Sequence, residues 1–403
     1  MIDRRRVYAL HGAIARVLGA ALVVVLATGT LATLSVELER LLEPEGAHGL
    51  ELGALASIDA WAERSSRTLR IIDLDGARGA LAWTVDSDGR WSRTFLDRSG
   101  APRGTFSFLG ARAVLRDVHR QLFVGHVALY VTTPLSFVLL AMMVSGYLSQ
   151  RRLVLGIVGT SPHARRASLH RSLGTLGLLP GLLFALTGLV YVTETIVEEL
   201  GASLEITPPA SVGDAPSAST TLPLDALLTR AVEASPTLSP RRIVLPRERG
   251  RPLLVWGPGA TAGVRDLSSF VAIDPRTGAV LAQHEAGSAA PLDLAADLVD
   301  PLHFGDVGGA VTRYAWCLFG VLLTALTITG LATGRARRRH DDEHRLERRM
   351  SLAIGFVFFA TLLGNVMSRR EDLAPSGWLA VTLVVVIAAA GIALAARTPR
   401  ASA

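Results

Sequence analysis

Polar residues are unevenly spread along this chain, and they leave six apolar runs near 14–36, 122–148, 173–193, 310–333, 350–368 and 377–396. Each run reaches the roughly 18 residues that a helix needs to cross a bilayer core. The first run exceeds the roughly 7–15 apolar residues of a secretory signal and is followed by no clear A-x-A site, so it is read as an uncleaved helix. Two long polar stretches interrupt the pattern, near 37–118 and 194–305. In the first, LGALASIDAWAERS has helical spacing, and ALAWTVDSDGRWSRTFLD alternates about a turn at Asp88-Gly89, the signature of a hairpin. The second opens on a linker rich in Pro, Ser, Ala and Thr near 207–222. A helix in LPLDALLTRAVEAS, strands in RRIVLP, PLLVWG and SSFVAID, and a turn at DPRTG follow.

This pattern predicts an all-α polytopic membrane bundle of six helices with two small α+β domains outside it. The expected divisions are helix 1 in 1–36, a first outer domain in 37–118, helix 2 in 119–148, a basic loop in 149–172 and helix 3 in 173–193. A second outer domain in 194–305, helix 4 in 306–334, a charged loop in 335–349, helices 5 and 6 in 350–396 and a tail in 397–403 complete the chain.

Composition agrees. Half of the 403 residues are hydrophobic, and the mean hydropathy is +0.38. The net charge of +6 comes with arginines placed beside the runs: Arg4, Arg5 and Arg6; Arg151, Arg152, Arg165, Arg166 and Arg171; and Arg335, Arg337, Arg338 and Arg339. That placement is the positive-inside signature rather than a nucleic-acid surface, so no nucleic-acid partner is expected and the solvent of the runs is membrane lipid. It predicts a multi-pass protein of a bacterial inner membrane with both termini cytoplasmic. The single cysteine, Cys317, excludes disulfides within the chain and cysteine-ligated iron–sulfur clusters.

Four histidines recur with fixed spacing. His11 precedes Thr28-Gly29 by 17 residues, and His170 precedes Thr187-Gly188 by 17. His119 precedes Ser145-Gly146 by 26 residues, and His303 precedes Thr329-Gly330 by 26. The two halves therefore read as an internal repeat. The turns FLDRSGAPRG and AIDPRTGAVL look like counterparts, which extends the repeat into the outer domains. A parallel repeat implies a pseudo-two-fold axis along the membrane normal. That axis places His11 opposite His170 at the cytoplasmic side and His119 opposite His303 at the outer side. His126 competes with His119, because seven residues bring it back to the same helix face; the repeat favours His119. The small residues of the Thr-Gly pairs would allow close approach of helices or of a flat macrocycle, and Pro134 and Pro180 are expected to bend their helices.

The His…Thr-Gly helices, the outer units with a DPRTG-type turn and the basic end of helix 4 together resemble the PepSY-associated transmembrane family over roughly residues 5–340. Two departures are visible: His11 is followed by Gly12 where the family often has Arg, and helices 5 and 6 lie beyond the shared core. The resemblance implies an inner-membrane ferric-siderophore reductase carrying haem b, two groups in this chain, with His11, His170, His119 and His303 as axial ligands and His126 as a further candidate. Electrons would pass outward to a ferric siderophore or other iron chelate. No nucleotide-binding motif is present, since GPGATAG at 257–263 lacks the dinucleotide spacing, so the donor would be a membrane quinol or a cytoplasmic reductase. The rival expectations are a non-enzymatic module that binds a peptide or partner protein, and a transporter of iron or its chelate; scarce acidic residues within the runs weigh against the latter. Two local clusters are read as solvated charge: HDDEH at 340–344, where metal binding is disfavoured, and Arg241, Arg242, Arg247, Arg249 and Arg251, whose sharper reading is a landing surface for an anionic chelate.

Overall fold

The computed structural model describes residues 3–396, apart from 52, 122–124, 151–152, 154, 202–207, 210–221, 247–249, 287–290, 337–352, 354–355 and 358–359. Twelve helices are used below: α1 (Arg4–Thr33), α2 (Ser35–Arg40), α3 (Ala54–Arg64), α4 (Ala111–Gln121), α5 (Leu129–Thr132), α6 (Leu135–Ser149), α7 (Pro162–Leu176), α8 (Leu178–Glu199), α9 (Leu224–Ala234), α10 (Pro291–Phe304), α11 (Gly309–Ala336) and α12 (Pro375–Ala396). The strands are β1 (Thr68–Gly76), β2 (Gly79–Val85), β3 (Trp91–Leu96), β4 (Pro102–Ser107), β5 (Arg242–Val244), β6 (Leu253–Gly257), β7 (Ser269–Ile273) and β8 (Val280–His284).

Among the described residues, four helical segments are long and apolar enough to span a membrane: Arg4–Thr33, Leu129–Ser149, Leu178–Glu199 and Asp306–Thr333. The chain is a membrane protein with a sheet region outside the bundle. The fifth and sixth expected runs lie partly outside the described residues; 360–368 are helical, and the described apolar part of α12, Pro375–Ile387, is shorter than a span. The end of the bundle that leads into the sheet is called the sheet side below.

Local chemistry sets the helix ends. The Asp3 carboxylate accepts the Arg5 N–H at 3.0 Å and opens α1. Ser161 caps α7 through the Ala164 N–H at 3.1 Å, with Pro162 in the first helical position. The single expected helix over 173–193 is interrupted at Gly177, which separates α7 from α8. Pro180 follows three residues later; it offers no N–H, and its ring crowds the carbonyl four residues back. Pro134 likewise stands between α5 and α6.

Strands from both outer stretches contribute to a single sheet. All eight strands form one sheet in the order β4-β3-β2-β1-β5-β6-β7-β8. Two antiparallel meanders meet where β1 pairs β5, with Ile71 opposite Val244, Ile72 opposite Ile243 and Asp73 opposite Arg242. Two ion pairs stitch this seam, Arg242 to Asp73 at 2.5 Å and Arg241 to Asp75 at 2.6 Å. One apolar core serves both meanders, with Ile58, Ile72 and Leu96 from the first packed with Leu227, Ile243, Leu253 and Ile273 from the second.

The sheet and bundle are joined by a buried ion cluster. Arg93 bonds Glu39 at 3.2 Å and Glu43 at 2.9 Å, and Arg78 bonds Glu39 at 3.4 Å. Glu39 also accepts the Arg112 N–H at the start of α4, and Glu43 accepts the Ser376 hydroxyl at the start of α12.

Two histidine pairs at the ends of the bundle

Each of the four repeated histidines sits on a helix that delivers its ring to a hydroxyl-glycine step on another helix. His119 lies in the last turn of α4. The apolar face of α4, Val114, Leu115 and Val118, packs on Leu362, Val366, Ala380, Val381 and Val384. The His119 ring reaches α1, with Nδ1 3.0 Å from the Val25 carbonyl and 3.5 Å from the Thr28 hydroxyl. His303, in the last turn of α10, places Nδ1 2.8 Å from the Thr187 hydroxyl on α8. At the opposite end, His11 on α1 places Nδ1 2.9 Å from the Ser145 hydroxyl on α6. His170 on α7 places Nδ1 3.0 Å from the Leu326 carbonyl and 3.4 Å from the Thr329 hydroxyl on α11.

These contacts assign the tautomer. A carbonyl only accepts, so the Nδ1 atoms of His119 and His170 carry the proton. The Thr187 hydroxyl donates its own hydrogen to the Leu183 carbonyl at 2.8 Å, and the Ser145 hydroxyl donates to the Ala141 carbonyl at 2.5 Å. Each therefore offers a lone pair to the imidazole, and Nδ1 of His303 and His11 donates as well. With Nδ1 protonated and held, the Nε2 lone pair of all four rings is left for a metal.

The glycines make the approach possible. A Cβ on Gly29 would stand 2.9 Å from Cε1 of His119, one on Gly330 would stand 2.8 Å from Cε1 of His170, and one on Gly146 would stand 3.3 Å from Cε1 of His11. Gly188 differs, since a Cβ there would meet Ser136 at 2.9 Å rather than His303.

The rings form two pairs. His11 and His170 have centroids 6.3 Å apart with planes at 59°. His119 and His303 have centroids 6.2 Å apart with planes at 40°. A metal ion with imidazole nitrogens at about 2 Å on opposite sides, each about 1 Å inside its ring centroid, spaces the centroids about 6 Å apart. Among the described residues no group of three or more His, Cys, Asp or Glu side chains is assembled as a metal site. Two opposed imidazoles at this spacing could serve as a pair of ligands to one metal ion.

Surroundings distinguish the pairs. On the sheet side, Phe184, Tyr191 and Phe304 stand edge-on to His303 at 5.9, 5.2 and 5.5 Å. The Tyr191 hydroxyl bonds Asp300. Burial lowers His119 to about 4, and nearby Arg120 and Arg116 push the same way; burial, then His119, then these arginines lower His303 to about 3. Both imidazoles are neutral at physiological pH and free to ligate. Burial also lowers His170.

His126 is placed elsewhere. It stands half-exposed in a short 3-10 turn, 3.3 Å from Glu199 and edge-on to Tyr130. Of the five basic-run arginines, Arg241 and Arg242 hold the β1–β5 seam, and Arg247 and Arg249 lie outside the described residues, as does HDDEH. The GPGATAG stretch is the loop after β6 and opens no helix.

The model of the PepSY-associated TM region matches residues 8–336, about four fifths of the chain. The chain belongs to the PepSY-associated transmembrane family. All four paired histidines fall inside the matched PepSY-associated region, and the helical residues 360–368 and α12 fall beyond it. Two of the segments that pack against the His119 helix thus lie beyond the PepSY-associated core, while α1 and α2 lie within it. No curated protein matches the chain.

Sequence reasoning placed the hydroxyl-glycine pairs as packing residues and did not see that each one holds a histidine from another helix. Their spacing was the available signal. It also passed over Arg116, Arg120, Tyr191 and Asp300. A comparison of R-x-x-H-R at 116–120 with D-x-x-H-F at 300–304 would have found three of them.

Proposed function

We propose that this PepSY-associated protein is an inner-membrane electron carrier that holds one haem b between His119 and His303 and another between His11 and His170. The observation that supports the reading is the matched pair of imidazole pairs, with ring centroids 6.2 and 6.3 Å apart, in which every Nδ1 is engaged by a hydroxyl or carbonyl and no Nε2 has a hydrogen-bond partner among the described residues. Bound there, a haem supplies a one-electron iron couple and no proton chemistry of its own.

The chain's contribution is positional. Val25, Thr187, Ser145 and Leu326 orient the rings and raise the electron density at Nε2 through the Nδ1–H bond. All four rings are partly buried within the bundle. In this reading the two halves are an internal repeat within a six-helix bundle, both termini are cytoplasmic, and the sheet is periplasmic. His11 and Thr28 are separated by about 25 Å of α1, at about 1.5 Å per residue, so the two pairs lie toward opposite membrane faces. Such a layout suits electron passage from an inner donor, a quinol or a cytoplasmic reductase, to a periplasmic ferric chelate. Reduction would release the metal because ferrous iron is held less tightly than ferric iron by hard oxygen ligands.

The test is the reduced-minus-oxidised spectrum of the purified full chain with pyridine haemochrome quantification. The expected result is two b haems per chain with sharp reduced bands, falling to one in His303→Ala and one in His170→Ala. A colourless wild-type protein from haem-replete cells would overturn the proposal.

A further inference from the structure

The sheet-side pair has a cationic edge on α4. Arg112, Arg116 and Arg120 recur every four residues on α4 and share one helix face. Arg112 is exposed at the start of the helix, whereas Arg116 and Arg120 are partly buried beside the histidines. Arg116 lies over the Phe304 ring at 4.8 Å, and Arg120 lies over the Tyr191 ring at 5.7 Å. Both rings are edge-on to His303, at 5.5 and 5.2 Å. Two guanidiniums are thus carried by aromatic side chains that themselves wall the imidazole pair.

Among the described residues neither guanidinium makes an ion pair within 4 Å. The acid that acts on Arg116 is Asp300, and it is engaged by the Tyr191 hydroxyl. Burial and the neighbouring arginines lower Arg116, with Asp300 acting in the opposite direction. A partly buried arginine without a carboxylate or phosphate is costly, and its planar fork matches a carboxylate. The corresponding positions beside His303 are Asp300 and Phe304, so the cationic edge belongs to one arm of the site only.

We propose that Arg116 and Arg120 form a carboxylate-binding edge of the sheet-side site and take the propionate carboxylates of the macrocycle held between His119 and His303. The inference rests on the haem reading given above. It assigns the orientation of the macrocycle, with its charged edge toward α4 and its apolar edge toward Phe184. It also assigns Arg116 and Arg120 as binding residues, while Asp300 and Tyr191 steady the opposing wall.

The experiment loads the haem-stripped, detergent-solubilised full chain with iron protoporphyrin IX or with its dimethyl ester, which keeps the ring and the iron but lacks both charges. His303→Ala reports the opposite-side site alone, and its binding is subtracted. The sheet-side site of the wild type should bind the free acid at least tenfold more tightly than the ester. In R116Q/R120Q that preference should disappear while ester affinity stays at the wild-type value, and R116K/R120K should restore part of the preference. A preference unchanged in R116Q/R120Q would overturn the assignment, as would loss of ester binding in that variant, which would mark the arginines as structural. Failure of both porphyrins to bind the wild-type sheet-side site would instead defeat the haem reading itself, and this inference with it.

Discussion

The helices that carry His119 and His303 deliver their rings to one site by different means. α4 is clamped: its apolar face is covered by Leu362, Val366 and α12, and its first turn is tied to the buried Glu39–Arg93–Glu43 cluster. α10 is held by individual polar contacts instead. The Trp316 indole N–H bonds the Leu302 carbonyl at 2.6 Å, Arg265 pairs Asp297 at 2.7 Å, and Asp300 bonds Tyr191. Each histidine also has its own anchor, a carbonyl plus a distant hydroxyl for His119 and a single close hydroxyl for His303. The ring positions correspond and their supports do not. What the two arms share is an imidazole beside a hydroxyl-glycine step, and each reaches it with the packing available to it.

The largest difference between the arms should appear on cutting the buried cluster. Arg93→Ala leaves Glu43, which is fully buried, without its main cation. The expected loss is about 3–5 kcal/mol, felt by the first meander and α4, whereas Arg241→Ala at the half-exposed seam should cost about 1 kcal/mol or less. Thermal unfolding of the solubilised chain measures both, and equal losses would remove the contrast between a clamped and a loosely held arm.

Anchor removal comes next. Thr187→Ala removes the hydroxyl that holds His303 Nδ1 and, on the haem reading proposed above, should weaken haem binding at the sheet-side pair about 10–100-fold. Thr28→Ala should cost less, because His119 keeps the Val25 carbonyl. Haem-transfer titration ranks the two, and a Thr28→Ala loss as large as that of Thr187→Ala would show that the carbonyl is not the working partner.

The smallest effect concerns the matching turns of the two meanders. Asp97 accepts the Ser99 hydroxyl and the Ala101 N–H, and these bonds hold its carboxyl below the usual range. Burial alone would raise Asp274, but bonds from the Arg276 N–H and the Thr277 hydroxyl bring it below that range too. A carboxyl lowered by folding adds stability that is complete above its unfolded pKa and fades as pH falls through its folded one. Asp274→Asn should therefore speed hydrogen exchange at the Gly278 and Ala279 amides by a few-fold at pH 7, with the difference shrinking toward pH 3. A difference that grew in acid would contradict that sign.

Much of this molecule was legible from one dimension. The apolar runs, the hairpin at Asp88-Gly89, helices α3 and α9 and the DPRTG turn all follow from local periodicity and turn chemistry, which act over a few residues. The recurrence of four histidines and four small-residue steps was visible as spacing. Strands β1, β4 and β8 were not expected: β4 and β8 are edge strands with no buried position, which blunts the alternation that marks a half-buried strand.

Sequence by itself determined that the chain carries apolar helices of membrane-spanning length and that four histidines recur at fixed spacing, because hydropathy and spacing are properties of consecutive residues. Tertiary structure alone decided the rest. The fusion of two meanders through β1 and β5 joins residues about 170 positions apart. The holding of His119 by α1 and of His11 by α6 spans 94 and 134 positions. That His119 rather than His126 faces His303 follows from the placement of α4 in the fold, and the cationic edge forms only when Arg116 and Arg120 are laid over aromatic rings from two other helices. Such contacts carry no local signature, since the energy that selects them comes from burial and hydrogen bonding between parts of the chain that meet only on folding.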